Sequence, residues 1–425
     1  MAEFNLQQYL SIINRWDVSW IFCICCALLV LGIGLTFQAP WIDWDASDYI
    51  NVAENIVDGK GIVSGWESAT IHKFWPLTVW PPFYPILIAA FMTLGFTSVS
   101  AAMWIQILAF AGIVIVSFFF GKEIDSPLVG YLCAISILCM SALWELSRMA
   151  LTEIPYIFLS LVGLYLLLRY VNTKNYWVLV LSVLFCGAGA VTRYMGITLI
   201  LTGFLILVFQ SRKRTLSDLI PALVFGVISS IPVCLVFFRN IEVTGHFSGA
   251  DRGAGSGIFT GVTHDLIQVM VSDLNPFKLL FFERISDWVS IGIFSFLMVV
   301  AVFLTYGVYI GGKTRFKLLA LHFLSEKCIV ISYILIYILT LALLEIGMGD
   351  IASVHTRYLL PVYPFLVILC LSFMRSACSQ VKTGSWRVIS ISICTILVVC
   401  FVCSQVLGSL PVISEKGGRY YTDPV

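Results

Sequence analysis

Three aspartates that fall within six residues of one another, Asp43, Asp45 and Asp48, are the side chains of this chain best suited to chemistry. They stand in a run that is flanked by aromatic residues, from Trp41 to Tyr49, directly after the first apolar segment. Carboxylates at this density can accept a proton from a nucleophile, orient a hydroxyl group or hold a hard metal ion. The elements around this run must therefore hold it where a substrate can reach it.

A short amphipathic helix is predicted over 46–58. At 100° per residue its polar side chains fill one arc and its apolar side chains fill the opposite arc. The polar arc holds Asp48, Asn51, Glu54, Asn55 and Asp58, and the apolar arc holds Tyr49, Ile50, Val52, Ala53, Ile56 and Val57. The pattern is typical of a helix that lies in a membrane interface, and Gly59 and Gly61 should end it. Asp45 could act as a base or cap this helix, with Asp48 strengthening its first turn, and the two roles are compatible.

The composition predicts a polytopic membrane protein. The chain has 425 residues, of which 60% are hydrophobic and 12% are charged. These proportions exclude a soluble globular domain. The first apolar run, Val18–Phe37, is long enough to span and is expected to be retained, since no cleavable signal peptide is visible. The 13 cysteines have no metal-ligand spacing and fall in apolar runs or short basic loops, which favours buried thiols over disulfides.

About eleven transmembrane helices are expected in one all-α domain over 18–408, with a lead-in at 1–17 and a tail at 409–425. The first external loop, 38–97, should contain interfacial helices, because the apolar run 83–96 is short and begins with prolines. A second external loop is expected at 239–287. The predicted spans are 18–37, 98–121, 127–146, 154–171, 175–192, 196–210, 218–238, 288–310, 328–347, 357–374 and 387–408.

The orientation follows from the placement of lysine and arginine. With the N-terminus in the cytoplasm, the dense basic clusters, such as 212–214, fall inside, and about three quarters of the carboxylates fall outside. The first loop then faces the periplasm, the cell exterior or the ER lumen. Three arginines, Arg193, Arg239 and Arg357, lie at the outer boundary against this trend, which makes them candidates for binding an anion.

Several segments of the chain resemble GT-C membrane glycosyltransferases, especially the branch that includes protein O-mannosyltransferases and the aminoarabinose transferase of lipid A. The similar segments follow the order of that family. They are Asp45-Ala-Ser-Asp48-Tyr49 with Gly59-Lys-Gly61, Pro81-Pro82-Phe83-Tyr84-Pro85, Arg148-Met-Ala-Leu-Thr152-Glu153, Thr192-Arg193-Tyr194 and Arg357-Tyr358-Leu-Leu-Pro361. One departure is that Ala46 follows Asp45, where protein mannosyltransferases have an adjacent Asp-Glu pair. The resemblance implies a GT-C-like helix bundle and sugar transfer from a polyprenyl-phosphate carrier, with a hexose or a pentose transferred.

The resemblance also implies roles for individual residues. Asp45, by its match to the first-loop aspartate of the family, would be the general base, and Glu153 would assist it or orient a sugar. Arg193, Arg239 and Arg357 would contact the phosphate, and Tyr358 could cover the sugar. Asp43 and Asp48 could position the acceptor or bind a divalent cation. Each residue also has an ordinary structural role open to it: Glu153 as a helix-start acid, the arginines as snorkelling or ion-paired cations, and Tyr358 as packing.

The expected function is therefore a glycosyltransferase of the plasma (inner) membrane with its site on the external or periplasmic face. Its partners would be a polyprenyl-phosphate sugar, an acceptor on a lipid, glycan or protein, and the bilayer, with no nucleic acid. No cofactor is certain from the sequence, and with oxygen ligands alone any metal would be Mg²⁺ or Mn²⁺. The alternative is a transporter or flippase for a lipid-linked saccharide or small solute, which the scarcity of midspan charges disfavours.

Overall fold

The protein is a bundle of helices with one small hairpin. The computed structural model describes residues 16–37, 40–67, 72–210, 216–250, 269, 273, 313–347, 356–380 and 385–415. The helices are α1 (Trp16–Gly34), α2 (Trp44–Val57), α3 (Phe83–Thr93), α4 (Ser98–Ile124), α5 (Pro127–Leu138), α6 (Ser141–Ser147), α7 (Glu153–Thr173), α8 (Tyr176–Thr192), α9 (Ile197–Gln210), α10 (Leu216–Thr244), α11 (Lys313–Gly347), α12 (Thr356–Leu359), α13 (Tyr363–Gln380) and α14 (Ser385–Ser414). Short 3₁₀ turns occupy Tyr194–Gly196 and Leu360–Val362, and β1 (Val63–Glu67) pairs antiparallel with β2 (His72–Pro76).

Within these residues six helices are long and apolar enough to cross a membrane, or seven if the bent pair α5 and α6 is one span. Four shorter helical stretches, such as Tyr176–Thr192, are also apolar. The expected helical membrane bundle is confirmed. The expected number of eleven is not established, and the predicted span 288–310 lies outside the described residues, as does the lead-in up to residue 15.

Several predicted boundaries are wrong. The run 127–146 is two helices that meet at 55° around Cys139 and Met140. The first span ends at Gly34, and the last helix continues to Ser414, so the first part of the predicted tail is helical. Helix α10 reaches Thr244, inside the predicted second loop, and α11 begins at Lys313, fifteen residues before the predicted span. Hydropathy cannot locate these ends, because a helix may continue past the apolar core.

The core of the bundle forms around α4, which packs against α1, α5 and α7, while α8 packs against α7 and α10. Helices α4 and α5 approach closely at Gly130, where an added Cβ atom would lie 2.6 Å from the carbonyl oxygen of Phe118. Small residues allow such close backbone contact between membrane helices. Helices α10 and α14 are the least enclosed, with only 22% and 17% of their apolar windows buried, so they present broad faces to lipid.

The first loop contains α2, the hairpin and α3, in a compact arrangement. Helix α2 buries Tyr49, Val52 and Ala53 as its amphipathic pattern predicts, and Gly59 with φ +77° follows its C-cap Asp58. Asn55, which was predicted to lie on the polar arc, is buried instead and donates from Nδ2 to the carbonyl oxygen of Val63 at 3.0 Å. Val57, from the predicted apolar arc, is exposed. The hairpin, which the sequence did not predict, therefore covers part of the polar face of α2.

Charged side chains meet at both ends of the bundle. At one end, Asp125 after α4 pairs with Arg375 of α13 and lies 3.9 Å from Lys327 of α11. At the opposite end, the starts of α2, α7 and α12 converge with the end of α8, and this end holds the predicted functional residues.

Candidate active site

The start of α2 places Asp43 and Asp45 at the site. Asp43, not Asp45, caps the helix: its Oδ1 accepts from the backbone N–H of Ala46 at 2.7 Å. The predicted cap role of Asp45 is therefore wrong, because the helix begins two residues earlier than the pattern suggested. Asp45 lies in the first turn, where its Oδ2 accepts from Nη2 of Arg357 at 2.6 Å. An acid in the first turn also interacts favourably with the helix dipole.

Backbone contacts hold this turn beside the start of α7. The N–H of Trp41 donates to the carbonyl oxygen of Arg148 at 2.7 Å, so the first loop is attached two residues before Asp43. Arg148 precedes Glu153 by five residues, and Glu153 is the first residue of α7. The attachment explains how two acids that are more than one hundred residues apart in sequence reach the same arginine.

Glu153 is the buried centre of the site, with no solvent exposure. Its Oε1 lies 2.6 Å from Nη1 of Arg193 and accepts from Nε of Arg357 at 3.0 Å. Arg193 Nη1 also donates to Thr152 Oγ1 at 2.9 Å. A buried carboxylate is tolerated only when it is paired in this way. The other oxygen, Oε2, accepts no hydrogen bond from any residue that the structure describes, so it remains available to a donor group.

Both arginines of the site lie next to interruptions between helices. Arg193 stands between α8 and the 3₁₀ turn 194–196, and Arg357 lies in the short helix α12 before the turn 360–362. Tyr358 lies beneath the guanidinium of Arg357 at 5.6 Å from ring centroid to carbon. Its carbonyl oxygen accepts from Tyr337 at 2.8 Å, which fastens α12 to α11.

Together Asp45, Glu153, Arg193 and Arg357 form what we call the acid–arginine cluster. Asp43 lies at its edge, with Oδ2 3.8 Å from Nη1 of Arg357. Three carboxylates thus face two guanidinium groups, and the site carries a net charge of about −1 when all five are ionised. Burial raises the pKa of Asp43, and the charges of Asp45 and Glu153 act in the same direction, against the Ala46 N–H and Arg357.

Two predicted site residues lie outside this cluster. Asp48 accepts from the hydroxyl of Ser64, which binds α2 to the hairpin. Arg239 donates from Nη1 to the carbonyl oxygen of Leu77 at 2.6 Å and from Nη2 to that of Ile62 at 3.2 Å. Both contacts are to backbone of the first loop. In this structure Arg239 supports the loop that carries the acids, and its guanidinium is directed at carbonyl groups.

Three supporting residues escaped prediction as site residues. Arg148 is buried, stacks on the rings of Phe37 and Trp41 at 4.5 and 4.7 Å, and donates to the carbonyl oxygens of Val412 and Glu415. Gln106 of α4 donates to the carbonyl oxygen of Leu151, two residues before Glu153, at 2.5 Å. Tyr49 packs edge-on to Tyr84. Burial raises the pKa of Tyr49, and the negative charges of Asp45 and Glu153 raise it further. For Gln106, the available signal in the sequence was a glutamine inside an apolar span.

The cluster can perform two kinds of chemistry. A carboxylate at a water-accessible helix start can remove a proton from a nucleophile, and guanidinium groups in a largely enclosed site can stabilise a developing phosphate charge. Among the described residues no group of three or more histidine, cysteine, aspartate or glutamate side chains is arranged to hold a metal ion. Arg357 instead occupies the space between Asp45 and Glu153.

Comparison with known proteins identifies a similar family and similar folds. The family described as dolichyl-phosphate-mannose-protein mannosyltransferase matches residues 79–237. None of the curated proteins searched matches the chain. A crystal structure of ArnT from Cupriavidus metallidurans bound to undecaprenyl phosphate is similar, with 12% identity, a TM-score of 0.58, and 94% of this chain and 77% of that chain covered.

The archaeal oligosaccharyltransferase AglB from Archaeoglobus fulgidus, in complex with an inhibitory peptide and a dolichol-phosphate, is also similar. Its identity is 10% and its TM-score is 0.53, with 95% of this chain and 57% of that chain covered. At these identities the two structures show a shared fold. They show that this chain, a bundle with several apolar helices, has the GT-C fold, and the stretch 79–237 is similar to the protein mannosyltransferase family.

Proposed function

We propose that this protein transfers a sugar from a polyprenyl-phosphate carrier to a nucleophile on a lipid, glycan or protein acceptor. The observation that carries the proposal is the contact of Arg357 with both Asp45, at 2.6 Å, and Glu153, at 3.0 Å. This contact brings a candidate base and a candidate phosphate ligand into one site. The undecaprenyl phosphate in the ArnT structure and the dolichol-phosphate in AglB support a lipid phosphate as the donor's carrier.

In the proposed reaction the acceptor oxygen forms a bond to the anomeric carbon of the sugar, and the bond from that carbon to the phosphate oxygen breaks. The electron pair of the broken bond stays on the lipid phosphate, and the proton of the acceptor hydroxyl passes to Asp45. Arg357 and Arg193 supply positive charge where the leaving phosphate gains negative charge. Glu153 holds both arginines in place, and its Oε2 can accept a hydrogen bond from a sugar or acceptor hydroxyl.

The remaining assignments follow from the same arrangement. Tyr358 would pack against the sugar beside Arg357, and Asp43 would orient the acceptor from the edge of the cluster. Asp48 and Arg239 would support the first loop. The site would face the periplasm or cell exterior from the plasma membrane with the N-terminus in the cytoplasm, because that orientation places the basic loops inside. The transferred sugar would be a hexose or a pentose.

A transfer assay in isolated membranes tests the proposal. Membranes that contain the full chain receive radiolabelled polyprenyl-phosphate sugars, and label is followed into lipid, glycan and protein fractions. We expect Asp45→Asn to lower transfer at least a hundredfold, since general bases typically contribute 10²–10⁴-fold. The matched control is Asp58→Asn, which makes the same change at the exposed end of α2, where Asp58 pairs with Lys60. Transfer by Asp45→Asn at the level of Asp58→Asn would remove Asp45 from the mechanism.

A further inference from the structure

Arg357, the proposed phosphate ligand, has a carboxylate near each of its three guanidinium nitrogens. Its Nε bonds Glu153, its Nη2 bonds Asp45, and its Nη1 lies 3.8 Å from Asp43. A guanidinium has five N–H donors in one plane, and a phosphate binds best to two of them side by side. A phosphate that binds Nη1 and Nη2 side by side therefore competes with Asp45 for Nη2.

Asp45 is the carboxylate that can be displaced most easily. Glu153 is completely buried and is also held by Arg193, so it has no solvent to enter if it leaves Arg357. The Asp45 side chain is 22% exposed and lies on the first turn of α2, in a loop at the end of the bundle. Water can solvate Asp45 after its release, so the free-energy cost of this exchange is the smaller one.

From this geometry we propose that Asp45 occupies the phosphate position of Arg357 in the donor-free protein, and that arrival of the donor exchanges Asp45 for phosphate on that guanidinium. The inference rests on the proposed function, since it takes Asp45 as the base and Arg357 as the phosphate ligand. Before the exchange, Oδ2 of Asp45 accepts a hydrogen bond from Arg357. After the exchange, the same oxygen is free to take the acceptor's proton. The base therefore becomes available only when the donor is bound, which orders the two substrates.

The proposal has an unusual consequence for an inactive variant. Asp45→Asn removes the competing charge from Arg357, so the variant should bind a lipid phosphate more tightly than the wild type while it transfers no sugar. The contact that competes with the phosphate is a charge-assisted hydrogen bond, and partial exposure weakens it. We expect about a tenfold gain in affinity, which corresponds to about 1.4 kcal/mol.

The experiment measures binding of undecaprenyl phosphate to the purified full chain in detergent micelles, with undecaprenol as the probe without phosphate. Wild type, Asp45→Asn, Asp45→Glu and the control Asp58→Asn are compared. Asp45→Asn should bind undecaprenyl phosphate about tenfold more tightly than wild type, and Asp45→Glu and Asp58→Asn within about twofold of it. Asp45→Ser gives the same comparison where Asp45→Asn does not accumulate.

A second pair of variants separates exchange on Arg357 from general repulsion between Asp45 and the phosphate. If the gain comes from Arg357, Asp45→Asn should change affinity less than about twofold in an Arg357→Ala background. A gain that persists in that background, or no gain in the wild-type background, overturns the exchange. Either result leaves the proposed function standing if Asp45→Asn still abolishes transfer, whereas active Asp45→Asn contradicts the proposed function itself.

Discussion

The acid–arginine cluster should make a measurable contribution to stability through Glu153, and Glu153→Gln is the change that isolates it. The substitution preserves the shape of the side chain and removes its charge. Oε1 now bonds two arginines at 2.6 and 3.0 Å with no solvent exposure. After the change, Arg193 retains Thr152 as a partner and Arg357 retains Asp45. Two cations then share fewer negative charges in an enclosed site.

The expected magnitude follows from these contacts. Removing one partner of a buried ion pair costs about 3–5 kcal/mol. Glutamine still offers an acceptor oxygen, and Arg357 is 27% exposed, so the expected cost lies at the lower end of this range or slightly below it. We expect a loss of about 2–3 kcal/mol, which for a chain of 425 residues lowers the midpoint of thermal unfolding by roughly 2–3 °C.

Buried thiols provide the assay. Cys133 and Cys186 have no exposed surface and react with a maleimide dye only when the bundle opens. Thermal unfolding of the full chain in detergent is followed by this labelling at a fixed heating rate. Glu123→Gln is the matched control, because Glu123 forms an exposed pair with Arg169 at 3.1 Å, and such pairs contribute about 0–1 kcal/mol. Midpoints of Glu153→Gln and Glu123→Gln that do not differ beyond the scatter of repeated scans would refute the reasoning.

Two other changes test the supports of the site. Because burial raises the pKa of Asp43, the folded protein keeps this proton to higher pH than the unfolded chain, and ionisation of Asp43 lowers stability as the pH rises from about 4 through the raised pKa. Asp43→Asn still caps α2 and should reduce the change of the unfolding midpoint with pH in that window. An unchanged slope of midpoint against pH would contradict this. Arg148→Met should lower the free energy of unfolding by about 2 kcal/mol, since the carbonyl groups of Val412 and Glu415 lose their donor. Hydrogen–deuterium exchange over 405–415 should become faster. Unaltered exchange there would show that Arg148 does not hold α14.

The sequence predicted the composition of the site better than its geometry. Glu153, Arg193 and Arg357 lie at span boundaries, Asp45 lies in the acidic run of the first loop, and alternating spans place all four on one side. That reasoning brings the residues to the same end of the bundle. It cannot show which cation faces which acid, because that depends on helix rotation and on loop attachments such as Trp41 to Arg148.

Arg239 illustrates this limit. It lies at a boundary like those of Arg193 and Arg357, and hydropathy treats all three alike. In the structure α10 continues to Thr244, so Arg239 is within a helix and its side chain reaches the carbonyl groups of Leu77 and Ile62. The hairpin that presents Ile62 was not predicted, because its strands are only five residues long and one contains a glycine. Because the hairpin was not predicted, the contact of Arg239 with the backbone beside it could not be predicted either.

The two arginines that do face the acids share a local feature: Arg193 stands at a break between an α-helix and a 3₁₀ turn, and Arg357 lies three residues before such a break. A break leaves backbone groups without helical partners and turns the chain, so that a side chain there is directed along the bundle axis instead of toward lipid. Gly196 after Arg193 and Pro361 after Arg357 mark these breaks in the sequence. A boundary arginine followed within four residues by glycine or proline is thus a more specific signal for a polar site in this fold than a boundary arginine alone, and Arg239, with glycine only at position 245, lacks it.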